Sequence, residues 1–226
     1  MSHPDLYLKK NEDKRLRKGH LWVFSNEIDT KKSALDQFTA GELVNVKSDD
    51  GKILGTAYVN PQTLICARLL SRKANLKCGA NFFKERLATA IALRDKIFPK
   101  PFYRLVFSES DGLPGLVIDR FGDVLSLQIT TAGIEIRKES LLTALIELLK
   151  PSAIILKNDN SQRQLEGLSQ ESEIVYGELP ENLIIEENGA KFKVDILDGQ
   201  KTGWFYNVMG LPVSKIHEEI KKLTEK

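Results

Sequence analysis

Hydrophobic positions along the chain come first as short runs and later as helical stripes. Residues 6–8, 21–24, 43–46, 53–59 and 63–70 are brief apolar runs rich in β-forming side chains, the length and composition of strands. Asp50-Gly51, between the third and fourth runs, predicts a hairpin turn, because glycine accepts the positive φ such turns need. Residues 1–75 show almost no 3.6-residue periodicity, so a small β-barrel is the predicted closure.

The pattern then changes. Phe83, Leu87, Ala90 and Ile91 recur at spacings of three and four, and Ile97 extends the stripe past Arg94. This predicts a helix over about 81–97, with Asn81 as a possible cap and Pro99 and Pro101 as the stop. A strand is expected at 103–107, then a turn-rich stretch from Glu109 to Gly115. Residues 116–118 and 124–129 predict a hairpin about Phe121-Gly122-Asp123. Its second strand alternates Leu125, Leu127 and Ile129 with Ser126 and Gln128, as a half-buried strand does. A second helix is predicted over 134–149, with Leu141, Leu142, Leu145, Leu148 and Leu149 as its stripe and Pro151 after it. A short buried strand at 153–156, a polar loop with a short helix at 158–170, and a hairpin of 183–185 with 192–196 over Asn188-Gly189 complete the reading. Residues 76–197 therefore read as an α+β layer structure, with the boundary between the two parts near 71–79.

Composition narrows the class. With 226 residues, 42% hydrophobic and 28% charged, the chain suits one large folded domain or two small ones and is too apolar for a disordered chain. No run approaches the roughly 18 apolar residues of a membrane helix, and the polar N-terminus is not a secretory signal. Cys66 and Cys78 are too few for a disulfide framework or a four-cysteine zinc site. These features predict a cytoplasmic protein. The formal charge is only +2, but residues 1–75 hold 13 Lys and Arg against 9 Asp and Glu, which allows a local anion-binding face there.

Three stretches are candidates for chemistry. Lys14, Arg15, Arg17, Lys18, Gly19 and His20 precede Trp22 and Phe24. Cations beside aromatic rings suit RNA, phosphates meeting the charges and unpaired bases the rings. The same residues also read as a solvated basic turn before a strand that buries both rings. Glu109-Ser110-Asp111-Gly112 places two carboxylates close together, suited to a metal or acid–base work, and equally to a turn in which Asp111 bonds its own backbone. Asp198-Gly199-Gln200-Lys201-Thr202-Gly203 is no phosphate loop, since Gln200 and Asp195 stand where that motif requires glycines; it reads as a loop closing the preceding hairpin. No dinucleotide fingerprint, His-based metal motif or nucleophile elbow is visible.

Three stretches together resemble one family: Arg15-Leu16-Arg17-Lys18-Gly19-His20-Leu21-Trp22-Val23-Phe24-Ser25-Asn26-Glu27-Ile28, the run from Glu109 through Gly115 to Asp119-Arg120-Phe121-Gly122-Asp123, and Asp198 through Gly203 to Trp204-Phe205. They are similar, in order, to the N-terminal signature, the middle signature and the entry to the catalytic domain of S-adenosylmethionine-dependent 23S ribosomal RNA cytosine-C5 methyltransferases that carry an N-terminal PUA domain. The resemblance implies a PUA pseudo-barrel, a strand–helix linker domain and a Rossmann-like methyltransferase domain. It also places Arg15, Arg17, Lys18, His20 and Trp22 in the RNA-facing region.

After Tyr206 this sequence departs from the family pattern. Asn207, Val208 and Met209 stand where the family has aspartate, glutamine and arginine, and the family's glycine-rich cofactor loop, Pro-Pro motif and catalytic cysteine have no counterpart. The fold expected is therefore α+β: a PUA-like pseudo-barrel over 1–75, a linker domain over 76–197, the start of a catalytic-domain motif with a short helix over 198–226, and no Rossmann-like methyltransferase domain. The function expected is the RNA-binding portion of an rRNA methyltransferase-like protein, truncated and not catalytic as this chain alone. Ribosomal RNA is the expected partner. No cofactor is expected for this chain, S-adenosylmethionine belonging to the full-length family. The alternative is a protein-interaction or oligomerisation module, with Val213, Ile216, Ile220 and Leu223 on one helical face docking a partner or a second copy.

Overall fold

The computed structural model describes residues 2–187 and 190–197. The turn expected at Asn188-Gly189, the loop expected at 198–203 and the helix expected at 213–226 lie outside the described residues.

The first part of the chain forms β1 (Asp5–Tyr7), α1 (Lys14–Arg17), β2 (Trp22–Val23), β3 (Leu43–Lys47), β4 (Ile53–Val59) and β5 (Ala67–Ser71). Their sheet order is β1-β3-β4-β5-β2. β1 runs parallel to β3, and the other pairs are antiparallel. A bridge between Leu8 and Ile28 joins the chain beyond β1 to the chain beyond β2, tying the two edges of the sheet together. Leu6, Leu8, Leu16, Val23, Ile28, Val44 and Val46 fill the interior. The Asp50-Gly51 turn is present, with Gly51 at φ +85°.

The chain continues through α2 (Ala80–Ile97), β6 (Phe102–Phe107), β7 (Leu116–Phe121), β8 (Val124–Ile129), α3 (Ala132–Glu135), α4 (Lys138–Leu149), β9 (Ala153–Lys157), α5 (Gln162–Leu165), β10 (Ser172–Gly177), β11 (Leu183–Glu187) and β12 (Ala190–Val194). A second five-stranded sheet has the order β10-β9-β8-β7-β6. Phe82, Phe83 and Leu87 of α2 and Leu141 and Leu145 of α4 share a buried core with Leu105, Ile118, Leu127 and Leu156 of the strands. β11 and β12 pair as a separate hairpin.

The sheet corrects the fold expected from the sequence. β8 and β9 are parallel and are joined through α3 and α4, which makes a βαβ unit, the building block of Rossmann-like folds. The sheet is therefore mixed, and a plain α+β linker with no Rossmann-like element does not describe it. Strand direction is set by tertiary pairing, so the periodicity that marked each strand carried no information about it.

The two sheets are joined through one core. Tyr58 of β4 and Leu70 of β5 belong to the core of the second sheet. The Tyr58 hydroxyl donates to the Pro114 carbonyl at 2.9 Å and lies 3.1 Å from the Thr131 hydroxyl.

Candidate nucleic-acid interface

The basic stretch is organised by one buried residue. Leu16 is the only residue of α1 turned into the core, which leaves Lys14, Arg15 and Arg17 on the outside. Gly19 ends the helix at φ +105°, and the His20 amide returns to the Arg15 carbonyl at 3.1 Å, a chain reversal that glycine makes at little cost. Lys18, Gly19 and His20 are exposed as a result.

The sequence-predicted residues then divide. Arg15 is held by Glu27 at 2.9 Å and lies over the Phe24 ring at 4.9 Å. Arg17 pairs with Asp13 at 2.5 Å. The side chains of Lys18 and His20 have no hydrogen-bond or ion-pair partner among the described residues. Both are exposed, and His20 lines one cleft with Trp22, which leaves them available to a ligand.

Trp22 and Val23 alternate across the sheet: Val23 is buried, while Trp22 is 39% exposed. The indole Nε1 donates to Glu109 Oε1 at 2.7 Å. The other carboxylate oxygen accepts from the Ser108 hydroxyl at 2.5 Å, and Ser108 Oγ accepts from the Gly115 amide at 2.8 Å. Ser108 occupies φ +49°, uncommon for a residue with a Cβ, and these two hydrogen bonds hold it there. Gly19, His20, Leu21, Trp22, Glu109 and Ser110 line an open cleft of about 380 Å³ between the two sheets. Arg72 stands at its edge, donating from Nη2 to the His20 carbonyl at 3.2 Å.

Asp111 has a structural task. Arg94 grips both of its oxygens, at 2.5 and 2.8 Å, and the Phe107 amide donates to it at 2.6 Å. Of the two readings of Glu109-Ser110-Asp111-Gly112, the turn with a backbone bond to Asp111 is the one formed. Among the described residues no group of three His, Cys, Asp or Glu is placed to hold a metal, and no helix is long and apolar enough to cross a membrane. The oligomerisation face expected at 213–226 lies outside the described residues. The sequence reading did not connect Glu109 to Trp22, or Arg72 to the basic loop, since these partners are far apart along the chain.

Residues 6–72 match a model for the PUA-like domain. The chain is 39% identical over 204 residues to ribosomal RNA large subunit methyltransferase I of Aliivibrio fischeri, an alignment covering 88% of this chain and 51% of that protein. It is also 39% identical over 206 residues to the protein of the same name from Vibrio cholerae, covering 89% and 51%. The chain thus spans about half the length of the curated relatives it matches. Among solved structures, it resembles one assigned as a methyltransferase and determined with SAH bound, with a TM-score of 0.73, 22% identity and coverage of 89% of this chain and 50% of that one. A SAM-dependent methyltransferase assignment from Streptococcus mutans gives 0.71, 23%, 89% and 51%. These likenesses overturn the expectation that methyltransferase architecture is absent: nearly nine-tenths of the chain follows the fold of such proteins, and it carries a PUA-like domain at its N-terminal side.

Proposed function

We propose that this chain serves the methylation of large-subunit ribosomal RNA and that its PUA-like part holds the RNA. In this reading residues 1–75 form the RNA-holding domain, 76–197 the linker domain and 198–226 the start of a catalytic-domain motif with a short helix. Lys18, His20 and Trp22 meet the RNA directly, Arg17 adds to the positive field, and Arg15 shapes the loop. The methylated base is a cytosine, at C5, as the sequence resemblance implies. The observation that carries the reading is the exposed basic loop ending on a half-exposed tryptophan, in a chain 39% identical to named rRNA methyltransferases.

The methyl donor of that chemistry is S-adenosylmethionine, and the described residues do not fit it where a βαβ unit would present a ligand. Such units bind ligands beyond the carboxyl ends of their strands. Beyond β8 that space is filled: a Cβ on Gly133 would lie 2.1 Å from the Tyr58 ring, and Glu166 Oε2 accepts from the Ala132 amide at 3.3 Å.

Electrostatic binding to RNA releases counterions, so affinity falls linearly on a log–log plot against salt. Titrating the 226-residue chain with fragments of large-subunit rRNA at low and high salt tests the proposal. Salt-sensitive binding, with a slope reduced by about one in Lys18→Ala, supports it. Absence of binding at low salt overturns it.

A further inference from the structure

We infer that the cleft lined by Trp22 and Glu109 is a subsite for one unstacked nucleobase, with guanine the base it fits best. The inference rests on the RNA-holding reading and adds to it a pocket and a base preference. Trp22 is fixed by its Nε1 hydrogen bond to Glu109 yet remains 39% exposed, so one face of the indole can serve as a preordered stacking platform. Stacking on such a ring is tolerant of sequence and is a general means of holding single-stranded nucleic acid.

The carboxylate beside that ring supplies the discrimination. Each Glu109 oxygen accepts one hydrogen bond inside the protein, from Trp22 and from Ser108, and a carboxylate offers about four lone-pair sites in all. The remaining two accept only. A nucleobase edge with two adjacent N–H donors matches them, and guanine N1–H with the N2 amine is that edge. A phosphate does not suit this site, because the carboxylate repels it. Anions find their partners at the rim instead, where His20 lines the cleft and the Arg72 guanidinium bonds the His20 carbonyl. The volume of about 380 Å³ lies within the usual range for small-ligand sites. The Ser108–Gly115 hydrogen bond makes Ser108 a positioning residue for the carboxylate.

The experiment measures binding of the 226-residue chain to short single-stranded RNAs of one sequence carrying guanosine, inosine, adenosine or uridine at one position, at fixed salt. Inosine keeps N1–H and lacks the N2 amine. The expected result is tightest binding to guanosine, a several-fold loss for inosine, and loss of that difference in Glu109→Gln, whose amide replaces one acceptor by a donor. Trp22→Phe, which keeps a ring but no N–H, retains binding, whereas Trp22→Ala weakens all four RNAs about tenfold, within the range of one stacked base. Equal affinity for all four RNAs, unchanged by Glu109→Gln and Trp22→Ala in folded protein, overturns the subsite while leaving salt-sensitive RNA binding intact. No RNA binding by the parent chain overturns the RNA-holding reading itself, and the subsite with it.

Discussion

Arg68 of the first sheet and Glu166 of the loop after α5 meet at 2.8 Å, with side-chain exposures of 14% and 4%. Glu166 also accepts from Asn60 Nδ2 at 2.8 Å, so the carboxylate is the point where the barrel grips the second sheet. Removing one member of a buried pair strands the other charge. Glu166→Ala is expected to lower stability by about 3–5 kcal/mol, and Arg68→Met with Glu166→Leu together by less than the sum of the single changes. Urea unfolding of Glu166→Ala, of Arg68→Met and Glu166→Leu singly, and of the double variant checks this.

A second junction is steric. Gly133 opens α3 directly against the Tyr58 ring, leaving no room for a methyl group. Gly133→Ala is expected to cost about 1–3 kcal/mol through overpacking. Adding Tyr58→Leu to Gly133→Ala is expected to recover part of that loss, although Tyr58→Leu alone destabilises by removing the bonds to Pro114 and Thr131. A double-mutant cycle read by thermal unfolding would show coupling between the positions; strict additivity would contradict the packing described.

Local signals in the sequence identified the elements whose causes are local. The stripe of Phe83, Leu87 and Ala90 placed α2 within one residue of its observed start, and Gly122 marked the β7–β8 turn, where it takes φ +67°. The single helix expected over 134–149 is broken near Arg137, whose Nη1 donates to the Gly41 and Gly133 carbonyls at 2.8 and 2.6 Å. The Gly41 carbonyl lies in the turn before β3, in the first part of the chain, a contact that periodicity cannot sense. β10 escaped notice because it is an edge strand with little burial on either face, and so shows no alternation. At the candidate site, Trp22 and the basic loop stood out as residue types. Glu109 stood out as a carboxylate, but its pairing with Trp22 spans 87 positions and exists only in the folded chain.

Both cysteines lie under cover, and burial pushes their thiols up from the usual 9.0, Cys66 to about 12 and Cys78 to about 11. The thiolate is the reactive form. At pH 8 an aromatic disulfide reagent is expected to react with folded Cys66 about a thousandfold more slowly than with the unfolded chain, and with Cys78 about a hundredfold more slowly. The fold favours the protonated thiols, so their contribution to stability is complete below pH 9 and is lost as pH rises towards 11–12. Alkaline unfolding at lower urea above pH 9, reduced in Cys66→Ala, is the corresponding equilibrium result.

The five residues expected to face RNA separate by their partners inside the protein. Glu27 is 6% exposed; one of its oxygens accepts from the Phe24 amide at 2.8 Å and the other from Arg15 at 2.9 Å. Arg15→Ala removes the cation from a buried carboxylate and is expected to lower stability by about 1–3 kcal/mol, with RNA affinity changing only as the loop loosens. Lys18 is exposed at the end of α1 with no such duty, so Lys18→Ala is expected to leave stability within about 0.5 kcal/mol and to weaken RNA binding at low salt more than at high salt. Measuring unfolding and RNA affinity on both variants distinguishes the two roles. If Arg15→Ala and Lys18→Ala weakened RNA binding equally with stability unchanged, Arg15 would be a direct phosphate contact and its bond to Glu27 dispensable in solution.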